Sequence, residues 1–375
     1  MKIDDFQLEK YLEKYEFCAP YLLCTSDCQS MSAKELLEFC KEPFESYLDV
    51  WLGYTETKGS PSLRRAISSV YTSITPDEII TFSGAEEGIF VFMNAALSPG
   101  DNIIVMHPGY QSLYEIAKSI GCSVTFWEMR EEDDWKPDLS VLRSLIRENT
   151  AAVILNTPHN PTGYNFSKDD LEDIVKIASE HSLYLFSDEV YRGIEYSISD
   201  RLPAVADSYS KGVSLGVMSK AYGLAGLRVG WIASKDSELM EGIAGFKNYT
   251  SICQSAPSEF LSEIAVKNSE KLIERNLEII RGNLKLLDGF FLKYRDILGW
   301  VRPKASSIGF VRIKTGENAD SFCMDVMKKA GVLLLPSTVY GFSNTHFRIG
   351  FGRADMKDAL VKFEEYLDEK YHIKQ

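Results

Sequence analysis

Four short polar clusters hold the side chains of this 375-residue chain that could do chemistry: His107-Pro-Gly-Tyr110, Thr157-Pro-His-Asn160-Pro-Thr-Gly163, Ser187-Asp-Glu-Val-Tyr191 and Met218-Ser-Lys220. Each follows an apolar, β-branched run. Taken alone, Lys220 reads as a surface lysine at a strand end. In a dry, polar-lined cleft, a lysine instead loses its proton and can condense with an aldehyde to form an imine. Asp188 either caps a turn or keeps a pyridine nitrogen protonated, so that the ring draws electrons from a carbanion. Tyr191 could donate to a ring hydroxyl or be a core tyrosine with a satisfied OH.

Asn160-Pro-Thr-Gly163 is a turn by composition. Gly84-Ala85-Glu86 opens an apolar helix that ends near Pro99-Gly100, and a glycine-led helix start offers free N–H groups to a phosphate. Glu86 and Glu87 could equally just favour the positive helix end. Arg228 could clamp a phosphate or make a structural ion pair. Singly, each residue has a structural explanation; together they supply every group that one cofactor needs.

The elements that must position these residues alternate. Pro61 opens a helix with Leu63, Ala66, Ile67, Val70 and Tyr71 on one face. Apolar runs at 102–106, 151–155, 183–186, 213–217 and 229–233 read as buried strands. Ser167 and Asp170 have capping-box spacing ahead of a helix bearing Leu171, Ile174, Val175 and Ala178. Strands alternating with helices predict an α/β fold, a mostly parallel central sheet sandwiched by helices. Ligands bind such sheets at the carboxyl edge of the strands, where all four clusters fall. After Pro257 the pattern changes to a long amphipathic helix through Ile273, Leu277, Ile280, Leu284, Leu287 and Phe291. Strands at 308–313 and 347–351 and a helix from Met356 complete a smaller α+β domain. The expected division is an N-terminal segment, 1–48, associated with the small domain, a large domain, 49–257, and a small C-terminal domain, 258–375, with the long interdomain helix.

A chain of this length exceeds one core, so two packed lobes are expected. The net charge of −13 argues against non-specific binding to nucleic acid or anionic membrane. Residues 1–14 lack the apolar core of a secretory signal, and no run approaches the ~20 apolar residues that span a bilayer. Seven scattered cysteines without paired spacing suit neither a disulfide scaffold nor a metal site. They are expected as reduced thiols in the cytoplasm.

The ordered set G-A-E, P-G-Y, N-P-T-G, S-D-E-V-Y, S-K-x-x-G-L-x-G-L-R and R-V-G-W resembles the fold-type I, class I/II aminotransferases. The resemblance runs from about Tyr54 to Arg348. It implies a pyridoxal 5′-phosphate (PLP) cofactor held as an imine by Lys220, which also shuttles the substrate proton. Asp188 then matches the pyridinium partner, Asn160 and Tyr191 the pair on the ring oxygen, and Tyr110 the stacking aromatic. Gly84, Ala85 and Glu86 match the phosphate loop, with Ser219 and Arg228 as further ligands. Tyr54 resembles the tyrosine that reaches the neighbouring subunit's phosphate, implying a homodimer. Arg348 resembles the grip on the substrate α-carboxylate, with Arg353 as the alternative. Val217 and Ala85 stand where relatives often carry hydroxyls. Two lost bonds, each worth about 1–3 kcal/mol to a charged group, imply looser cofactor binding.

The activity implied is transfer of the α-amino group of an amino acid to a 2-oxo acid. The same residues serve β-lyases and β-replacement or cyclising enzymes that resemble capreomycidine synthase. Cys24-Thr-Ser-Asp-Cys28 resembles that last group, so Asp27 could meet a basic side chain; a surface loop before a helix cap is the other reading. A PLP-sensing regulator would need a DNA-binding domain, and no basic helix-turn-helix signal precedes Tyr54.

Overall fold

The structure is a computed structural model describing residues 2–373; Met1, the first residue of the N-terminal stretch considered above, and 374–375 of the small domain lie outside the described residues. Seven strands form the main sheet, in the spatial order Ile79–Phe82, Gly230–Ser234, Gly212–Val217, Tyr184–Asp188, Thr150–Asn156, Asn102–His107 and Ser123–Glu128. All neighbours are parallel except Gly230–Ser234, which runs against both of its neighbours. The five expected strands are present within a residue or two. Two strands were not expected. Ile79–Phe82 is only four residues long, and Ser123–Glu128 is an edge strand exposed at both ends.

Side-chain alternation makes the sheet a wall between two cores. Ile103, Val105, Ala152 and Ile154 pack toward Phe92 and Met93 of the helix Ala85–Ala96. Ile104, Met106, Val153 and Leu155 face the helix Lys168–Glu180 through Leu171, Ile174 and Ala178. Ser167 and Asp170 form the expected capping box. The helix that Pro61 opens is shorter than expected. It ends at Ser68, because Val70 and Tyr71 turn out through tightened i→i+3 bonds and the Tyr71 hydroxyl accepts from Trp231 Nε1 at 2.8 Å.

The long helix Ser269–Lys293 buries Leu277, Ile280, Leu284, Leu287 and Phe291. Beyond it lies an antiparallel sheet in the order Leu335–Pro336, His346–Gly350, Ile308–Ile313 and Leu298–Trp300. The N-terminal strand Tyr21–Leu22 pairs in parallel with Val332–Leu333. The following residues, 23–29, are strapped to the small sheet by backbone bonds. Gly350 N–H donates to the Leu23 carbonyl, and Gln29 N–H to that of Gly352, each at 2.9 Å. Glycine is needed here for approach. A Cβ on Gly350 would stand 1.6 Å from the Thr25 carbonyl oxygen, and one on Gly352 would stand 2.3 Å from that of Asp27.

Gly350→Ala is therefore expected to cost about 1–3 kcal/mol through overpacking, read as a lower denaturant midpoint. An unchanged midpoint would show that the strap is not pinned at this residue.

Candidate active site

The sheet's carboxyl edge opens into a cavity of about 590 Å³. Asp188 and Val217 end their strands, Asn160 and Tyr191 follow theirs, and Ser219 and Lys220 follow the strand that Val217 ends. The rest of the wall comes from three distant pieces: Leu8, Glu9 and Leu12 of the helix Gln7–Tyr15, residues 25–27 of the strap, and Arg348 with Arg353. The turn after the lysine is local: Gly223, at φ +70°, donates its N–H to the Lys220 carbonyl at 3.0 Å.

Lys220 Nζ donates to Ser26 Oγ at 2.7 Å, and burial lowers its pKa, favouring the neutral amine that a nucleophile or base must be. Asp188 is buried, with one bond to its carboxylate, from Val190 N–H at 3.3 Å. Burial raises its pKa to about 7. A carboxyl in that position is short of a cation. The Tyr191 hydroxyl is buried and has no hydrogen-bond partner among the described residues. Arg348 is buried and held by three groups, one of them Asn160 Oδ1, which accepts from its Nη1 at 3.4 Å. Its Nε and Nη2 donate to the Cys24 carbonyl at 3.1 and 2.6 Å, and its Nη1 to the Tyr340 hydroxyl at 2.7 Å. Asn160 Oδ1 accepts from that hydroxyl at 3.0 Å. Arg353, the alternative grip, is already forked onto Asp27 at 3.2 and 2.8 Å.

Gly84 precedes the helix Ala85–Ala96 at φ +84°. A Cβ there would stand 2.5 Å from Arg228 Nη2, so the loop and the guanidinium share one tight corner. Arg228 Nη1 reaches Ser219 Oγ at 3.5 Å. Free helix N–H groups beside an arginine make a corner suited to phosphate. Glu86 shares the wall, and burial raises its carboxyl pKa. Tyr110 lines the cavity, its ring 5.0 Å from that of Phe6. Tyr54 is 85% exposed and absent from its own chain's cavity wall, beside the equally exposed Trp51 and Leu52.

These residues fit PLP. Asp188 lacks a counter-ion, Tyr191 lacks an acceptor or donor, and the Gly84–Arg228 corner excludes a side chain. Sequence reasoning missed Ser26, Tyr340 and Glu9. Ser26 lay inside the stretch noted only for Asp27. Nothing local marks Tyr340, which sits in the turn Ser337–Tyr340 of the small lobe. A second cavity, about 380 Å³, borders Arg192 and Glu189. Both are already committed, Arg192 to the Leu202 and Val70 carbonyls and Glu189 to Val205 N–H and the Ser214 hydroxyl.

The Asp188 shift has a sign. A carboxyl whose folded pKa lies above its unfolded value costs stability above the folded pKa and nothing below the unfolded one. Asp188→Asn is therefore expected to raise the melting temperature of the cofactor-free protein at pH 8 and leave it unchanged near pH 3. Equal effects at both pH values would mean that the carboxyl is not held neutral by burial.

Residues 21–363 match the family model for aminotransferase class I and II. A PLP-dependent aminotransferase from Streptococcus suis superposes with a TM-score of 0.94 at 31% identity, covering 100% of both chains. An aspartate aminotransferase of Pyrococcus horikoshii is 27% identical over 88% of this chain and 86% of its own. A capreomycidine synthase of Streptomyces vinaceus is 26% identical over 82% of this chain and 79% of its own. With the sheet order, and with Lys220 and Asp188 in one cavity, these likenesses show that the chain belongs to the class I and II aminotransferases, PLP-dependent enzymes of fold type I.

Proposed function

We propose that the chain moves the α-amino group of an amino acid to a 2-oxo acid, with Lys220 as cofactor-binding lysine and proton carrier. The observation that carries this is the meeting of Lys220, Asp188 and Arg348 in one cavity. When bound, PLP supplies an electron sink for the carbanion left at the substrate Cα. Arg348, held by the Cys24 carbonyl and Tyr340, presents its remaining donors to the α-carboxylate. Lys220, whose pKa burial lowers, would take the proton from the substrate Cα and carry it to the other side of the transfer. Asp188 holds a proton at the ring nitrogen. Asn160 and Tyr191 would hold the ring oxygen, Tyr110 would stack on the ring, and Gly84, Ala85, Glu86, Ser219 and Arg228 would hold the phosphate.

Tyr54 serves the neighbouring subunit in this reading. Its support is an apolar surface unusual for a lone chain: Leu48, Trp51, Leu52, Tyr54 and Tyr249 are all at least 66% exposed. The active unit is thus a homodimer. The large domain spans 49–257, and residues 1–48 belong with the small domain, 258–375. Seven unpaired cysteines support a cytoplasmic setting, and among the described residues no helix is long and apolar enough to cross a membrane.

A second reading, cyclisation or elimination, draws on the capreomycidine synthase likeness and on Glu9, Glu16 and Asp27 in the cavity wall. One titration separates the two. The cofactor-loaded enzyme is mixed with single amino acids without any oxo acid, and its near-UV and visible spectrum is followed. Transamination gives stoichiometric conversion to the pyridoxamine form and one oxo acid per site. Lys220→Ala should slow that conversion at least about a thousandfold. Continuous product with the starting spectrum restored would favour the second reading.

A further inference from the structure

We propose that Ser26 is a positioning residue for the reaction, its hydroxyl orienting the Lys220 amine during proton transfer. This rests on the reading of Lys220 as proton carrier. Ser26 Oγ, at 2.7 Å, is the hydrogen-bond partner of Lys220 Nζ, and the two residues are 194 positions apart in the chain. A neutral amine has one lone pair and two N–H bonds. With one N–H committed to Ser26, the lone pair and the other N–H are left to face the cavity where the substrate carbon must lie.

Ser26 can do this because its backbone is fixed more firmly than that of a loop. Its own carbonyl accepts from the Ser307 hydroxyl at 2.8 Å. On one side of it, the Cys24 carbonyl takes two bonds from Arg348. On the other, the Asp27 carboxylate is forked onto Arg353, and the Gln29 carbonyl accepts from Arg275 at 2.8 Å. Gly350 and Gly352 let the small sheet approach the strap at Thr25 and Asp27. The hydroxyl is thus presented by the small lobe and the lysine by the large one. Closing the two lobes sets the direction of the amine. The arginine that grips the substrate carboxylate is the same one that holds Cys24, two residues before Ser26. Carboxylate binding and amine orientation share one rigid piece.

Several charged groups face Lys220: Asp27 from the strap, Glu9 and Glu16 from the N-terminal helix and the residue after it, Asp188 from the sheet and Arg348 from the small lobe. Tyr191, whose hydroxyl also faces Ser26, and Cys28, beside Lys220, complete the set. All of them survive removal of the Ser26 hydroxyl, so a change of Lys220 titration in Ser26→Ala reports loss of the hydroxyl from this cluster. An acceptor favours the ammonium over the amine. Its loss should therefore lower the pKa of Lys220.

The test uses the full-length enzyme loaded with pyridoxamine 5′-phosphate, in which Lys220 is free. Competitive acetylation across pH, with the Lys220 peptide quantified by mass spectrometry, gives the titration midpoint. Ser26→Ala should move it down by about half a unit or more. The α-proton transfer rate should fall about tenfold, and the isotope effect with α-deuterated substrate should rise, with KM within about twofold of the parent. Ser26→Thr, which keeps the hydroxyl, should restore all three. An unmoved midpoint overturns the proposal, as does equal loss in the alanine and threonine variants. Lys220→Ala is run alongside. If it keeps the half-reaction, the proton-carrier reading itself fails, whatever Ser26 does.

Discussion

Asp188 is a carboxyl removed from water at the end of a central strand, with one backbone N–H for company. Burying a charge without a partner is costly, and such groups go neutral instead. A cation placed against Asp188 would also resolve this, and in the proposed reading a protonated pyridine ring nitrogen is that cation. The same logic governs Lys220, which burial moves toward the neutral amine. One desolvated space thus sets an acid and a base in opposite senses: the carboxyl seeks a positive partner and the lysine gives up its charge. The remaining features keep that space dry and correctly shaped.

The fold builds this space from three directions. The parallel sheet delivers Asn160, Asp188, Tyr191 and Lys220 along one edge because parallel strands all end on the same side. The Gly84 corner is pressed against Arg228, so a helix start and a guanidinium share one corner of the cavity. The strand His346–Gly350 of the four-stranded sheet supplies Arg348, the turn Ser337–Tyr340 supplies Tyr340, and the strap brings in Thr25 and Ser26. Arg348 therefore has two places in the structure. It lines the cavity, and it holds the Cys24 carbonyl that keeps the strap in place.

What the sequence made legible follows from range. Strand positions, the Ser167 capping box and the long helix through Leu277 and Leu284 depend on local periodicity, and they appear in the structure close to where they were expected. That Lys220, Asp188, Asn160 and Arg228 meet in one cavity was legible because they stand in an ordered set of distinctive short motifs at and after strand ends. The strands Ile79–Phe82 and Ser123–Glu128 were not, one being too short for a pattern and the other carrying the polar ends of an edge. Val70 and Tyr71 were assigned to a helix that ends before them, because the Trp231–Tyr71 bond is tertiary. Ser26 and Tyr340 were illegible for the same reason. Their meaning comes from partners 194 and 180 residues away.

The most direct measurement of the central claim is reductive trapping. Borohydride reduction of the PLP-loaded enzyme, followed by digestion and mass spectrometry, locates the lysine bonded to the cofactor. The account predicts the phosphopyridoxyl group on the peptide containing Lys220 and on no other lysine. A label on a different lysine, or no label on protein that holds PLP, would contradict it.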